Sequence, residues 1–110
     1  MSAERRESPR IDITLDAFLS HGDRGFLRHT ARNIGLDGVF LETDLSRLPR
    51  HALMELALQL PTEAGRKIHR FRVRRVHATG SGAGLEFDRI DPDSYEVLLE
   101  LVLSPRRKTT

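Results

Sequence analysis

The chain has 110 residues, 38% apolar and 31% charged, which suits one domain with a single modest core and does not suit a disordered segment. Its formal net charge is only +2 although its pI is about 9.7, so no polyanionic partner is demanded and the placement of the arginines matters more. With no cysteine, no apolar leader and no apolar run near the ~18 residues of a membrane helix, the sequence excludes disulfides and thiolate chemistry and predicts a soluble, cytoplasmic protein without membrane insertion.

Three arginines and a proline, in "ERRESPR" (residues 4–10), stand directly before the first regular element. Pro9 fixes its own φ and biases Ser8 away from helix, so a helical arm is not expected. From Ile11 to Leu19 every odd position is apolar while Asp12, Thr14 and Asp16 face the other way, the period of a half-buried strand. "SHGDRG" supplies turn chemistry, and a more polar second strand follows from about Phe26 to Asn33. "GLDG" (Gly35 to Gly38) makes the next turn and "VFLET" the third strand. The stretch from Leu45 to His51, containing Pro49, reads as an irregular connection.

The fourth strand buries Met54, Leu56, Leu58 and Leu60, with Glu55 and Gln59 outside, and "PTEAG" closes it. In "RKIHRFRVRRVHA" the apolar residues change parity: Phe71 and Val73 are odd, Ile68 and Val76 even. A flat strand cannot bury all four, so a bulge or bend is predicted near Arg74 and Arg75. "TGSGAG" is a hairpin connection, and "AGLEFD" is a sixth strand burying Ala83, Leu85 and Phe87. The last element changes period. Asp91 is the predicted N-cap and Pro92 the first helical residue, with Tyr95, Leu98, Leu99 and Val102 as an amphipathic stripe. Six mostly antiparallel strands and one helix, without a βαβ rhythm, predict an all-β fold: a six-stranded antiparallel barrel with a C-terminal α-helix.

Arginine reads phosphate, and it reads guanine through O6 and N7. Arg6 and Arg10 are four apart, ~13 Å when extended, so a bend is needed to bring both heads to one ligand. On this segment alone a solvated tail, a nucleic-acid arm and a fork for one phosphorylated ligand all stand. In "NIGLDG", Asn33 offers an amide for a base edge or sugar, and Gly35 and Gly38 permit positive φ and close backbone approach to a ligand. Asp37-Gly38 is equally a good hairpin turn. "TGSGAG" lacks the following helix and Gly-Lys-Ser/Thr ending of a phosphate loop. The five histidines show no metal-ligand spacing, and Ser81 stands in no nucleophile elbow, so neither a metal nor catalysis is expected.

Arg6-Glu7-Ser8-Pro9-Arg10, then Asn33-Ile34-Gly35-Leu36-Asp37-Gly38, then Gly84-Leu85-Glu86-Phe87 resemble, in order and spacing, the PilZ domain. That family carries an RxxxR arm, a D/N-x-S-x-x-G turn and a late GxxF-like strand before a closing helix, and its members are small six-stranded barrels that sense cyclic di-GMP. The resemblance covers nearly the whole chain. It implies an arginine-rich ligand-binding arm over residues 1–10, a single PilZ-like barrel over 11–104 and a disordered tail over 105–110. It also implies a cyclic di-GMP receptor, not an enzyme and without a cofactor, that relays a change of surface to a downstream protein. Carried over by position, Arg6 and Arg10 form the fork, Asn33 is the polar turn contact and Gly38 shapes the turn. Arg5 adds a stacking or phosphate contact, as an arginine there in the family accompanies a stacked pair of ligands.

One departure stands out: the family's serine is Gly35 here. A net hydrogen bond is worth ~0.5–1.5 kcal/mol, so its loss weakens binding up to roughly tenfold. The alternative is therefore a degenerate PilZ-like adaptor that works by protein contact alone. A barrel binding RNA or DNA through its arm ranks last, because one tyrosine and no tryptophan make a poor stacking platform. The resemblance leaves motility, exopolysaccharide, pili and virulence open as downstream processes, and implies a monomer or weak homodimer.

Overall fold

The computed structural model describes residues 9–22, 25–44 and 51–103. The arm before Pro9, the tail from Ser104 and most of the connection holding Pro49 lie outside the described residues, so the expectations placed on them are not addressed.

Six strands and one helix follow in order: β1 (Arg10–Ser20), β2 (Leu27–Gly35), β3 (Gly38–Glu42), β4 (Leu53–Thr62), β5 (Gly65–Ala78), β6 (Ala83–Arg89) and α1 (Pro92–Leu103). They close into a barrel in the order β1-β2-β3-β6-β5-β4, and every neighbouring pair is antiparallel. Closure leaves no free edge strand, which removes the unpaired row of N–H and C=O groups that invites aggregation. The expected all-β barrel with a C-terminal helix is the observed fold.

The strand periods place the core. Leu15, Ala17 and Leu19 of β1 and Met54, Leu56, Leu58 and Leu60 of β4 all point inward and are buried. Ile34, Val39, Leu41, Phe71, Val73 and Leu85 complete the interior from the other strands. Phe87 stacks on Phe71 with ring centroids 4.8 Å apart, and is only half-buried.

Strand β5 departs from expectation in one respect. Its pairing with β4 is unbroken from Gly65 to Arg74, so one alternation runs over that length: His69, Phe71 and Val73 turn inward, while Ile68, Arg70 and Arg72 are exposed. Ile68 consequently faces out, opposite Gln59, and is 58% exposed instead of buried. The register breaks occur only against β6, at Arg72/Val73 and at Arg75/His77, where Val76 is the extra residue. The parity change therefore belongs to the Val76 end of the strand, and Ile68 takes no part in it.

The helix begins as its cap chemistry dictates. The Asp91 carboxylate accepts the Ser94 N–H at 2.8 Å, and the Asp91 carbonyl accepts the Tyr95 N–H at 3.0 Å. The buried stripe is Ser94, Leu98 and Val102, with Val97 and Leu101 packed against the core. Tyr95, expected on that stripe, is 40% exposed: Ser94 takes the inward position because its hydroxyl meets His69 Nδ1 at 3.0 Å.

Candidate functional site

Strand β1 starts at Arg10, opposite Gly35, the last residue of β2; two residues on, Asp12 lies opposite Asn33. The register shifts between Asp12 and Leu15, and again on β2 between Ala31 and Asn33, bend both strands at this end of the sheet. The result sets Arg10 across its neighbours. Its Nε and one terminal nitrogen both donate to the Asn33 amide oxygen, at 3.2 and 2.8 Å. The other terminal nitrogen donates to Asp37 Oδ1 at 3.0 Å. The Asn33 oxygen is thereby committed to the guanidinium, and its NH2 group is the donor it has left for a further partner.

The turn from β2 to β3 consists of Leu36 and Asp37. It is pinned to the opposite wall: the Asp37 carbonyl accepts the Phe87 N–H at 2.9 Å. Neither Gly35 nor Gly38 has a positive φ, contrary to the freedom expected of them. Their requirement is steric. A Cβ on Gly38 would lie 2.2 Å from the Leu85 carbonyl oxygen, so glycine is what lets β3 approach β6. A Cβ on Gly35 would lie 2.7 Å from Arg10 Cγ and 2.8 Å from the Pro9 carbonyl oxygen. The space a family serine would use is thus filled by the arm itself, and the close approach is to the protein's own chain.

These residues border an open cavity of about 640 Å³ on the barrel surface, within the ~300–1,000 Å³ usual for small-ligand sites. Arg10, Asn33, Asp37, Phe40 and His77 are among the residues that line it. Gly84 lies opposite Phe40 on β3 and His77 on β5. The His77 ring would meet a Cβ on Gly84 at 2.4 Å, and the Phe40 ring would meet one on Gly82 at 2.0 Å. Gly82, just before β6, and Gly84 within it therefore leave room for two flat rings to lie close to the backbone beside the cavity. The arrangement offers a guanidinium, an amide and planar rings around one concave surface, which suits a ligand with anionic groups and flat heterocycles.

Of the residues singled out by sequence, Arg10, Asn33, Gly35 and Gly38 come together here. Arg5 and Arg6 lie outside the described residues. Sequence reasoning missed Asp37 as a side-chain partner and Phe40 and His77 as cavity walls. The available signal was the Gly82, Gly84 alternation, which leaves bare backbone on one face of a strand for neighbouring rings to cover. Among the described residues no cluster of three or more metal-ligating side chains occurs, and no helix is long and apolar enough to cross a membrane.

The molecule is thus a small closed barrel with Arg10, at the start of its first strand, on the edge of an open surface cavity. The PilZ domain family model matches residues 4–104, and the chain belongs to that family. Solved structures agree on the fold. The chain resembles the Bacillus subtilis inhibitor of motility (MotI/DgrA) with a TM-score of 0.80 at 19% identity, over 96% of this chain and 55% of that one. It thus spans about half the length of that protein. It also resembles the PilZ domain of YcgR from Escherichia coli with c-di-GMP (TM-score 0.72, 14% identity, 92% of this chain and 91% of that one). A third likeness is to the MrkH–c-di-GMP complex of K. pneumonia (TM-score 0.68, 17% identity, 93% and 52%). No curated protein matches the sequence.

Proposed function

We propose that this domain is a cytoplasmic cyclic di-GMP receptor that passes the signal to another protein and carries out no chemistry of its own. The reading rests on family membership, and the observation that carries it is Arg10, held by Asn33 and Asp37 at the edge of a cavity of suitable size. Arg10 and Arg6 form the fork for guanine and phosphate, Asn33 meets a base edge or sugar, and Gly35 and Gly38 shape the turn. Arg5 contributes a further stacking or phosphate contact. The arm folds onto the nucleotide and changes the surface offered to a partner. Two of the structural neighbours are described with c-di-GMP and one as an inhibitor of motility, which fits a receptor that acts through a second protein.

Calorimetric titration of cyclic di-GMP tests this reading. Saturable binding is expected, and Arg6→Ala and Arg10→Ala each remove most of it, since hydrogen bonds to charged groups are worth ~1.5–3 kcal/mol, or ~10- to 100-fold in affinity. No heat and no saturation at ~100 μM ligand, a free energy near 5.5 kcal/mol, would sink it. That outcome favours a nucleotide-free adaptor, a reading supported by Gly35, whose vacant side-chain volume is taken by Arg10 and Pro9.

A further inference from the structure

Strand β5 turns one of its residues around. Phe71 and Val73 are odd-numbered and face the core, and in a regular strand His77 would follow them inward. The register against β6 instead steps from the Arg75–Leu85 pair to the His77–Gly84 pair, with Val76 as the extra residue. His77 therefore comes to the outer surface and is exposed. A bulge is a common way for a sheet to re-aim one side chain, and bulges gather beside active sites. Here the re-aimed side chain lines the cavity that also holds Arg10, Asn33 and Asp37.

The His77 ring has one face occupied. A Cβ on Gly84 would lie 2.4 Å from its Cε1, 2.9 Å from Nδ1 and 3.0 Å from Nε2, so the imidazole covers this glycine and leaves it buried. Packing accounts for a flat ring at this place, as Phe40 over Gly82 shows, but it does not call for an imidazole. Neither ring nitrogen has a hydrogen bond or ion pair among the described residues, although the side chain borders the cavity. Imidazole is the side chain whose charge ordinarily changes between about pH 5 and 8, whereas carboxylates and guanidinium groups ordinarily change outside that range.

We propose that His77 is a further contact for the nucleotide, and that its protonated form holds the nucleotide more tightly, so that binding takes up a proton. The inference rests on the cyclic di-GMP reading above. The charged groups around the ring are Arg10, Asp12 and Asp37 in the same lining and Glu86, two residues along the same face of β6. Glu42, along β3 from Phe40, is paired with Arg32 at 2.6 Å, and Arg75 on β5 itself is buried. An imidazolium in this lining adds a second cation beside Arg10 for a ligand that carries two phosphate charges. The coupling is reciprocal: affinity rises as pH falls through the imidazole range, and bound nucleotide favours the protonated ring.

Calorimetric titration of cyclic di-GMP across pH tests it. Affinity is expected to be about fivefold higher at ~pH 5.5 than at ~pH 8, the effect of one exposed charge pair. Between these values the heat of binding should vary with the ionisation enthalpy of the buffer, as proton uptake requires. His77→Phe keeps a ring over Gly84 and should lose both effects; His77→Ala should in addition bind several-fold more weakly at the alkaline end. Binding with no pH dependence, a heat that is the same in every buffer, or a pH dependence retained in His77→Phe overturns the proposal and leaves the receptor reading standing. Binding at no pH sinks that reading and the proposal with it. Should the variants fail to fold by circular dichroism, the His77 ring protons of the unmutated chain are followed across pH by nuclear magnetic resonance. Their titration midpoint is expected to rise when nucleotide is added, and a midpoint that stays in place overturns the proposal.

Discussion

Arg10 and Asp37 are joined across 27 positions of sequence by a 3.0 Å ion pair, with the Arg10 side chain 24% exposed and that of Asp37 48%. The contact fixes the guanidinium at the cavity edge, and it also places a carboxylate in the cavity lining, where it would repel the anionic ligand proposed above. An exposed pair of this kind is worth about 1 kcal/mol or less, so orientation and repulsion nearly balance. Asp37→Asn keeps a hydrogen-bond acceptor for Arg10 and removes the negative charge. Cyclic di-GMP affinity is expected to rise by up to ~5-fold, more at low salt than at high. A fall in affinity on titration would show that the carboxylate is needed by the bound state.

Restoring the family serine at position 35 is expected to weaken binding. The new Cβ would stand 2.7 Å from Arg10 Cγ and 2.8 Å from the Pro9 carbonyl oxygen, and both belong to the arm that closes in the proposed mechanism. Gly35→Ala carries the same steric load without a hydroxyl. Both variants should lose affinity several-fold by calorimetry; tightening in the serine variant alone would mean that the arm moves aside freely.

Gly38→Ala attacks the barrel instead of the ligand. Its Cβ would meet the Leu85 carbonyl oxygen at 2.2 Å, and backbone on an adjacent strand cannot swing away as a side chain can. The cost of such overpacking is ~1–3 kcal/mol, and at ~4–8 °C per kcal/mol for a domain of this size the thermal midpoint drops visibly. An unchanged midpoint by calorimetric scanning would contradict the close β3–β6 approach.

Acid should loosen the barrel through His29, which lies opposite Ala17 on the β1–β2 pair. Burial pushes its pKa below the ordinary 6.5, because a desolvated imidazolium is disfavoured. The unfolded chain therefore takes up a proton near pH 6.5 while the folded chain does so only at lower pH. Between those values the unfolded state binds more protons, so stability declines as pH falls below 6.5 and levels off under the folded pKa. His29→Gln should flatten this part of the midpoint-versus-pH curve. An unaltered acid slope in the variant would assign the effect elsewhere.

The alternation in β1 and β4 and the Asp91-Pro92 start of α1 were legible because each depends only on neighbours in sequence. Ile68 was misjudged because a parity change in β5 does not say which end holds the extra residue; only pairing with β6 does. Tyr95 and Ser94 exchanged roles for a similar reason, since a small polar residue goes inward when a distant histidine meets it. At the site, Arg10, Asn33 and the two glycines are named by motif spacing. The Asp37 contact and the ring walls arise from register between strands that are far apart in the chain, which composition and period do not encode.

The Phe87 N–H bond to the Asp37 carbonyl ties the turn between the second and third strands to the last strand of the sheet. During synthesis the turn and the start of β1 emerge early and can meet through Arg10, Asn33 and Asp37, but their tie to the opposite wall waits for β6. The part of the cavity wall formed by Gly84 and Leu85 thus arrives with the final strand, and a chain cut short of β6 lacks it. Any ligand held there stabilises the finished barrel over every partly folded form, by mass action. Occupancy would then protect the chain from proteolysis, coupling how long the domain survives to the concentration of what it binds.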